Sequence, residues 1–313
     1  MNDELKTTRD GFGEGLLQAG KDNDQVVVVN ADLEESTRVH LFKKEFPNRF
    51  FQAGVAEQNM MGISAGLALG GKIPFATSFA IFSPGLNWEQ IRIATISKLN
   101  IKIASTHAGL SNGPDGVTHQ ALEDIAMMRV LPDMTVVVPS DFNQAKLATQ
   151  LIAQVKGPCY LRLSKTPTPI LKTDQPFEIG KAQIIKTGTD LTIIATGNMI
   201  HQAVEATSQL EEQGLSVGLI NMHTIKPLDK KAILNAAQNS KDIVTIEEHQ
   251  IAGGLGSVIS EYLSSAHPIR IVRIGIKDRF GQSGTIEELY AEYNLDVASI
   301  VKKISQSINE EII

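Results

Sequence analysis

A glutamate stands where a short apolar segment gives way to an amphipathic one. The run from Phe51 to Met60 reads FQAGVAEQNM, and Glu57 lies at the predicted junction between a strand and a helix. A carboxylate in the first turn of a helix is stabilised by the helix dipole and needs no further role. Alternatively, a carboxyl group sheltered in an apolar wall can share a proton with a ring nitrogen of a bound ligand.

A second group of polar residues lies in a glycine-rich loop. His107 directly follows the predicted strand 101–106, and Asp115 and His119 come soon after it in the sequence THAGLSNGPDGVTHQ. Ligands of α/β sheets bind beyond the carboxyl ends of strands, which favours a binding loop. A plain surface turn at Asp115-Gly116 is the alternative. A zinc site is not expected, because no cysteine or further histidine completes a tetrahedral set.

Two phenylalanines lie at the end of a predicted strand, in a chain with only 5% aromatic residues. Phe79 and Phe82 are either part of the core or an aromatic platform for a ligand.

Two weaker patterns occur later in the sequence. The run Glu247-Glu248-His249 is catalytic or, as we favour, a solvated polar strand end. Gly253-Gly254-Leu255-Gly256 lacks the spacing of a phosphate loop and is predicted to be a tight turn into a helix.

Short apolar runs alternate with amphipathic segments along the whole chain. Unbroken runs such as Val26–Val29 are typical of strands buried on both faces. The alternation predicts an α/β protein made of two doubly wound domains with mostly parallel sheets. The proline-containing segment 166–177 is the predicted linker between domains 1–165 and 178–313. The predicted strands of the two domains are 25–29, 49–54, 74–79, 101–106, 134–138, 159–163, 192–195, 216–221, 243–246 and 269–274.

The composition excludes several classes of protein. The chain has 313 residues, a net charge of −6 and one cysteine, Cys159, so an intramolecular disulfide is excluded. The mixed charges form no basic stripe, which argues against nucleic acid as a partner. No apolar run reaches the length of a membrane span, and no secretory signal is seen. We therefore expect a cytoplasmic, globular protein without a membrane segment.

Taken together, these motifs resemble the transketolase family along essentially the whole chain. The resemblance rests on short motifs that occur in the family's order. They are Thr8-Arg9-Asp10, Asn30-Ala31-Asp32-Leu33, Gly54-Val55-Ala56-Glu57-Gln58, Phe79–Phe82, Thr106-His107, Asp115–Gln120 and Asp278-Arg279-Phe280-Gly281. The resemblance implies a pyrimidine-binding domain followed by the family's C-terminal domain, which together are the C-terminal half of a transketolase.

The sequence has no Gly-Asp-Gly motif, with which members of this superfamily bind the cofactor's diphosphate and its metal. The resemblance therefore implies a split enzyme that uses thiamine diphosphate and Mg²⁺ or Ca²⁺, with the metal bound through a second polypeptide and no metal site in this chain. That partner is the N-terminal transketolase subunit, and the expected assembly is an α2β2 heterotetramer. The activity implied is transfer of a two-carbon ketol unit from a ketose to an aldose, with sugar phosphates as substrates.

The resemblance also implies roles for individual residues. Cofactor contacts are implied for Glu57, Phe79, Phe82 and Asp32, and Glu57, His119 and His107 are the implied catalytic residues. Substrate contacts are implied for Arg9, Ser36, His107, Asp115, His119 and Lys165. Three positions depart from the family: Lys165 and Leu86 replace arginine, and Pro114 replaces glutamate. An unusual or unphosphorylated sugar therefore stays open as the substrate.

Two other functions stay open on the sequence. One is another thiamine enzyme, either a 2-oxoacid dehydrogenase β subunit or a chain similar to deoxyxylulose-phosphate synthase. The other is a non-catalytic half that regulates a partner. The loop with His107, Asp115 and His119 favours sugar chemistry, and the presence of Glu57 favours catalysis.

Overall fold

A computed structural model describes residues 5–309. The larger sheet of this part of the chain has seven strands in the order β12-β6-β7-β5-β4-β2-β3. Six of them run parallel, and β12 pairs with β6 in the antiparallel direction. The strands are β2 (Val26–Asn30), β3 (Phe50–Gln52), β4 (Ile73–Phe79), β5 (Lys102–Thr106), β6 (Thr135–Val137), β7 (Cys159–Arg162) and β12 (Thr224–Lys226).

Helices cover both faces of this sheet, so its central strands are buried. Every residue of β2 and β5 is buried, as the apolar run in β2 predicts. The helices are α1 (Thr8–Asp22), α2 (His40–Glu45), α3 (Glu57–Leu69), α4 (Trp88–Ile96), α5 (Asp124–Arg129) and α6 (Phe142–Gln154). Short 3₁₀ turns span Pro47–Arg49, Gly109–Asp115 and Val117–His119.

The second sheet has five strands among the described residues, in the order β14-β13-β10-β11-β9. Only β9 is antiparallel to its neighbour. Its strands are β9 (Gln183–Lys186), β10 (Leu191–Ala195), β11 (Val217–Asn221), β13 (Asp242–Gln250) and β14 (Arg270–Ile276). The helices of this part are α7 (Met199–Glu212), α8 (Lys230–Asn239), α9 (Leu255–Ala266), α10 (Ile286–Glu292) and α11 (Val297–Asn309).

The two sheets confirm the predicted α/β class. The strands of the two sheets are not separated cleanly by the segment 166–177. Within that segment β8 (Pro167–Thr168) pairs with β1 (Lys6–Thr7), and the later strand β12 returns to the first sheet. The proposed domain limits therefore stay a prediction.

The buried side chain of Arg162 joins these two parts of the chain. Arg162 donates to Asp124 at 2.8 Å, and the hydroxyl of Tyr160 donates to the same carboxylate oxygen at 2.7 Å. Arg162 also donates to the carbonyl of Glu248, in β13, at 3.0 Å. Burial opposes a charge on Arg162, but the neighbouring Asp124 raises its pKa above the ordinary value. Arg162 therefore stays charged and links the two sheets.

Candidate functional site

Glu57 is the first residue of α3, and its side chain is only 5% exposed. Helix α3 follows β3, whose carboxyl end lies beside that of β2 because the two strands are parallel. The hydroxyl of Ser78, near the end of β4, donates to Glu57 Oε1 at 3.0 Å. Asn87 donates to the backbone carbonyl of Glu57 at 3.2 Å. The carboxyl group is thus sheltered and held by one hydroxyl, as a proton-sharing group requires.

The Glu57 side chain lines a cavity of about 140 Å³ at the carboxyl ends of these strands. The walls are mostly apolar, and two wall residues are also exposed to solvent: Val55 by 80% and Leu86 by 57%. The lining consists of Ala31, Asp32, Leu33, Val55, Glu57, Phe82 and Leu86. An apolar pocket with one buried carboxyl group can hold a heterocyclic ring and exchange a proton with it.

Phe82 and Phe79 have different surroundings. Phe82 lines the cavity, whereas Phe79 lies behind it and stacks on His107 with ring centroids 3.8 Å apart. The two phenylalanine rings are nearly parallel, with centroids 5.9 Å apart. The ring of His119 is nearly perpendicular to that of Phe82, with centroids 5.5 Å apart. One aromatic cluster therefore connects the cavity to both histidines of the loop.

His107 has a defined tautomer. Arg9 Nη1 lies 3.3 Å from His107 Nε2, and because a guanidinium group only donates, Nε2 accepts. The ring proton is then on Nδ1, which donates to Thr106 Oγ1 at 2.8 Å. Burial, and after it the positive charge of Arg9, lowers the pKa of His107 to about 3. His107 is therefore neutral at physiological pH.

Replacing His107 by asparagine is expected to weaken the acid sensitivity of the fold. In the folded chain the pKa of His107 is about 3, against 6.5 for a free histidine, so between these values unfolding takes up a proton. Stability then falls as the pH falls through this window, and asparagine removes that contribution. Urea unfolding of both proteins at pH 7 and pH 5 measures the difference. Equal losses of stability for the two proteins would contradict the lowered pKa of His107.

The remaining polar residues predicted from sequence lie around the histidines. Lys165 and Asp115 form an ion pair at 3.4 Å, and both are partly exposed. Arg9 donates to the backbone carbonyl of Ser36 at 3.2 Å. The loop residues, Arg9 and Lys165 thus come together at one polar rim, while Asp32 lies on the cavity side.

The run Glu247-Glu248-His249 is not a solvated strand end. The three side chains are 0–3% exposed, so the sequence-based interpretation was wrong. The Glu247 carboxylate accepts from the backbone N–H groups of Leu255 and Gly256, at 2.7 and 2.8 Å, at the beginning of α9. Burial nevertheless raises its pKa to about 7. The glycine-rich segment is a turn into a helix, as predicted, and Gly254 leaves space for this carboxylate.

The described residues contain no group of three or more histidine, cysteine, aspartate or glutamate side chains that could hold a metal ion. None of the helices in this part of the chain is both long enough and apolar enough to cross a membrane.

Comparison with known proteins identifies the family to which the chain belongs. Residues 4–169 match the family "Transketolase, pyrimidine binding domain", and residues 180–300 match "Transketolase, C-terminal domain". The chain belongs to the transketolase family. It is 46% identical over 312 residues to a "putative transketolase C-terminal section" of Methanocaldococcus jannaschii, with 98% of each chain covered.

Two further transketolase relatives are also separate chains. The "6-deoxy-6-sulfo-D-fructose transketolase subunit SqwH" of a Clostridium species is 36% identical, with 94% of this chain and 92% of the relative covered. A solved structure described as "split gene transketolase, inactive beta4 tetramer" superposes with a TM-score of 0.87 at 40% identity, covering 97% of this chain and 98% of the other. The chain therefore corresponds to the C-terminal subunit of a split transketolase.

Sequence reasoning missed two residues that contact members of the candidate site. Ser78 is the hydrogen-bond donor to Glu57, and Asn112 donates to the backbone carbonyls of both His107 and His119. Serine in an apolar strand and asparagine in a loop are common, so neither residue type gave a signal. Their roles depend on contacts that only the folded chain brings together.

Proposed function

We propose that this chain is the pyrimidine-binding subunit of a split thiamine-diphosphate-dependent transketolase that moves a two-carbon ketol unit from a ketose to an aldose. The observation that carries the proposal is the Glu57 carboxyl group, buried at an apolar cavity whose rim includes exposed Val55 and Leu86. A cavity of this size suits one ring of the cofactor. The sequence has no Gly-Asp-Gly motif, with which the superfamily binds the diphosphate and its metal.

Thiamine diphosphate, when bound, supplies the carbanion chemistry of ketol transfer, and the protein positions and tunes it. Glu57 would hold a proton against a nitrogen of the pyrimidine ring, with Ser78 fixing its orientation. Phe82 would pack on that ring, and Asp32 would contact it at the far side of the cavity. Phe79 would not contact the ring directly; it would hold His107 in place by stacking on its imidazole ring.

The polar rim would hold the sugar. His119 and Asp115 would contact hydroxyl groups. The Nε2 atom of neutral His107, which accepts from Arg9 in the structure, would accept a hydrogen bond from a substrate hydroxyl instead. Arg9, Ser36 and Lys165 would contact the distal end of the sugar, where a phosphate lies if the substrate carries one. Lysine in place of the family's arginine gives a point charge rather than a two-pronged contact, so phosphate dependence has to be measured.

The diphosphate and its metal, Mg²⁺ or Ca²⁺, would come from an N-terminal subunit. Exposed apolar side chains of the cavity wall and of helices α3 and α4 support such a partner, because exposed apolar surface marks interaction sites. Besides Val55 and Leu86, Leu69 in α3 and Ile93 and Ile96 in α4 are more than half exposed. We propose an α2β2 heterotetramer with the cofactor at the subunit interface.

Reconstitution tests the proposal. The purified chain alone is expected to have no ketol-transferring activity, and addition of the N-terminal subunit, thiamine diphosphate and Mg²⁺ should restore it. The assay follows ketose cleavage with xylulose 5-phosphate, unphosphorylated xylulose and pyruvate as alternative donors. Turnover of pyruvate alone would favour a 2-oxoacid-type enzyme. Full activity of the single chain would contradict the split assembly.

A further inference from the structure

Glu248, in β13, lies against a turn of the loop that carries both histidines. Its side chain is 3% exposed and belongs to neither the cavity nor the polar rim. Gly109 has a φ of +77°, and a Cβ atom at this position would lie 2.5 Å from the Glu248 carboxyl carbon. No residue other than glycine can occupy position 109 without displacing the carboxyl group. The carboxyl group and the turn are therefore in direct contact.

The carboxyl group of Glu248 also interacts electrostatically with the backbone of the turn. Burial raises the pKa of Glu248 to about 7, and Arg162 and the backbone N–H groups of Leu110 and Ser111 oppose that increase because they favour the ionised form. Asp124 and Tyr290 face the same carboxyl group. The Tyr290 hydroxyl interacts with this carboxyl group from the side of α10. The positive ends of two backbone dipoles in the turn thus point towards the Glu248 carboxyl group.

The turn is coupled to the histidines through Asn112, which is fully buried. Its amide nitrogen donates to the backbone carbonyl of His107 at 3.1 Å and to that of His119. Gly109 donates to the carbonyl of Ala121 at 2.8 Å, which closes the loop at its other end. A displacement of the turn at Gly109 would therefore move Asn112 and both histidine backbones with it.

The same C-terminal part of the chain contacts the loop at a second place. Gln120 donates to the carbonyl of Gln282 at 3.0 Å. A Cβ atom on Gly116 would lie 2.6 Å from the Ser283 hydroxyl, so this contact is also close. The loop is thus packed between the cavity on one side and the C-terminal part on the other.

We propose that Glu248 is a positioning residue for the transketolase reaction, which holds the turn at residues 109–112 and thereby fixes His107 and His119 beside the aromatic cluster. Glu248 contacts neither the cavity nor the rim and acts through the loop alone. This inference rests on the proposed substrate role of the two histidines.

The test uses the enzyme reconstituted with its N-terminal subunit. The E248Q substitution keeps the shape of the side chain and removes its charge. Because displacement of a substrate-binding group by a fraction of an ångström weakens productive binding, we expect the KM for the ketose donor to rise about tenfold. The affinity for thiamine diphosphate, measured by fluorescence titration, should stay unchanged, since the Glu57 cavity is not touched.

Glu247 provides a matched control in the same strand. It is equally buried, but its carboxylate binds the beginning of α9 instead of the loop. The E247Q variant should therefore have a lower Tm and an unchanged KM. If E248Q does not fold, E248D keeps the charge beside Arg162 while shortening its reach to the turn, and it should also raise the KM.

The double variant E248Q/H119A distinguishes the possible outcomes. If Glu248 acts through His119, the two substitutions together should raise the KM little more than H119A alone. Fully additive effects, an unchanged KM for E248Q, or an equal rise of the KM in E247Q would overturn the role of Glu248. If H119A itself left the KM unchanged, the proposed substrate role of His119 would fail, and this inference would fail with it.

Discussion

Replacement of Glu57 by glutamine is expected to lower kcat of the reconstituted enzyme by about 10²-fold or more, the usual contribution of a positioned proton-transfer group. Glutamine has nearly the same shape and can still accept a hydrogen bond from Ser78, but it cannot hold an exchangeable acidic proton. Steady-state ketol transfer at saturating thiamine diphosphate measures the effect. The structural reason is the burial of this carboxyl group in the cavity wall.

Glu212 is a suitable control for the Glu57 experiment. It is the last residue of α7, which packs on the second sheet, and it is exposed, so E212Q should leave kcat unchanged. Assembly of E57Q with the partner has to be checked by size-exclusion chromatography, because a failure to assemble would also abolish activity. An assembled E57Q enzyme with a kcat close to that of the unmodified protein would refute the assigned role.

The substitution D124N is expected to lower the free energy of unfolding by about 3–5 kcal/mol, the usual cost of removing one partner from a buried ion pair. Arg162 would stay charged in the interior without its main counter-charge, and Tyr160 would lose its charged acceptor. Since domains are stable by only about 5–15 kcal/mol, this loss is a large fraction of the total free energy of unfolding. Urea unfolding at a fixed protein concentration measures the loss.

A surface pair is the control for this stability experiment. Glu14 and Lys146 lie 2.8 Å apart, but both side chains are at least 40% exposed. Water screens such pairs, so E14Q should cost less than about 1 kcal/mol. Similar losses for D124N and E14Q would show that Asp124 and Arg162 do not stabilise the interior as described.

The sequence predicts the sheets well because burial on both faces leaves a clear pattern. The run Val26–Val29 is apolar throughout, and β2 is fully buried. Helix α1 has a weaker local pattern, since Gly11, Gly13 and Gly15 lower helix propensity. The structure gives the reason for two of them: a Cβ atom on Gly11 or Gly15 would lie within 2.5 Å of backbone oxygens of α6. These glycines allow close packing of two helices, a tertiary effect that no local pattern reveals.

The sequence allows the candidate residues of the site to be named, but it does not reveal which side chains contact one another. Glu57 and the two histidines can be identified from strand ends and motifs, and the structure brings them around one aromatic cluster. The burial of Glu247, Glu248 and His249 could not be foreseen, because Arg162 and Gly109 come from distant parts of the chain. Charged residues are solvated by default, and only tertiary partners reverse that expectation.

Strand β12 has a consequence for any attempt to divide the protein. It comes from beyond the proline-containing segment, yet it pairs with β6 at the edge of the first sheet. A fragment that stopped at that segment would leave β6 with unpaired backbone groups, an open edge prone to pairing with other molecules. Recombinant truncation there would therefore expose a sheet edge in the first fragment, so the two parts should be produced as one uninterrupted chain.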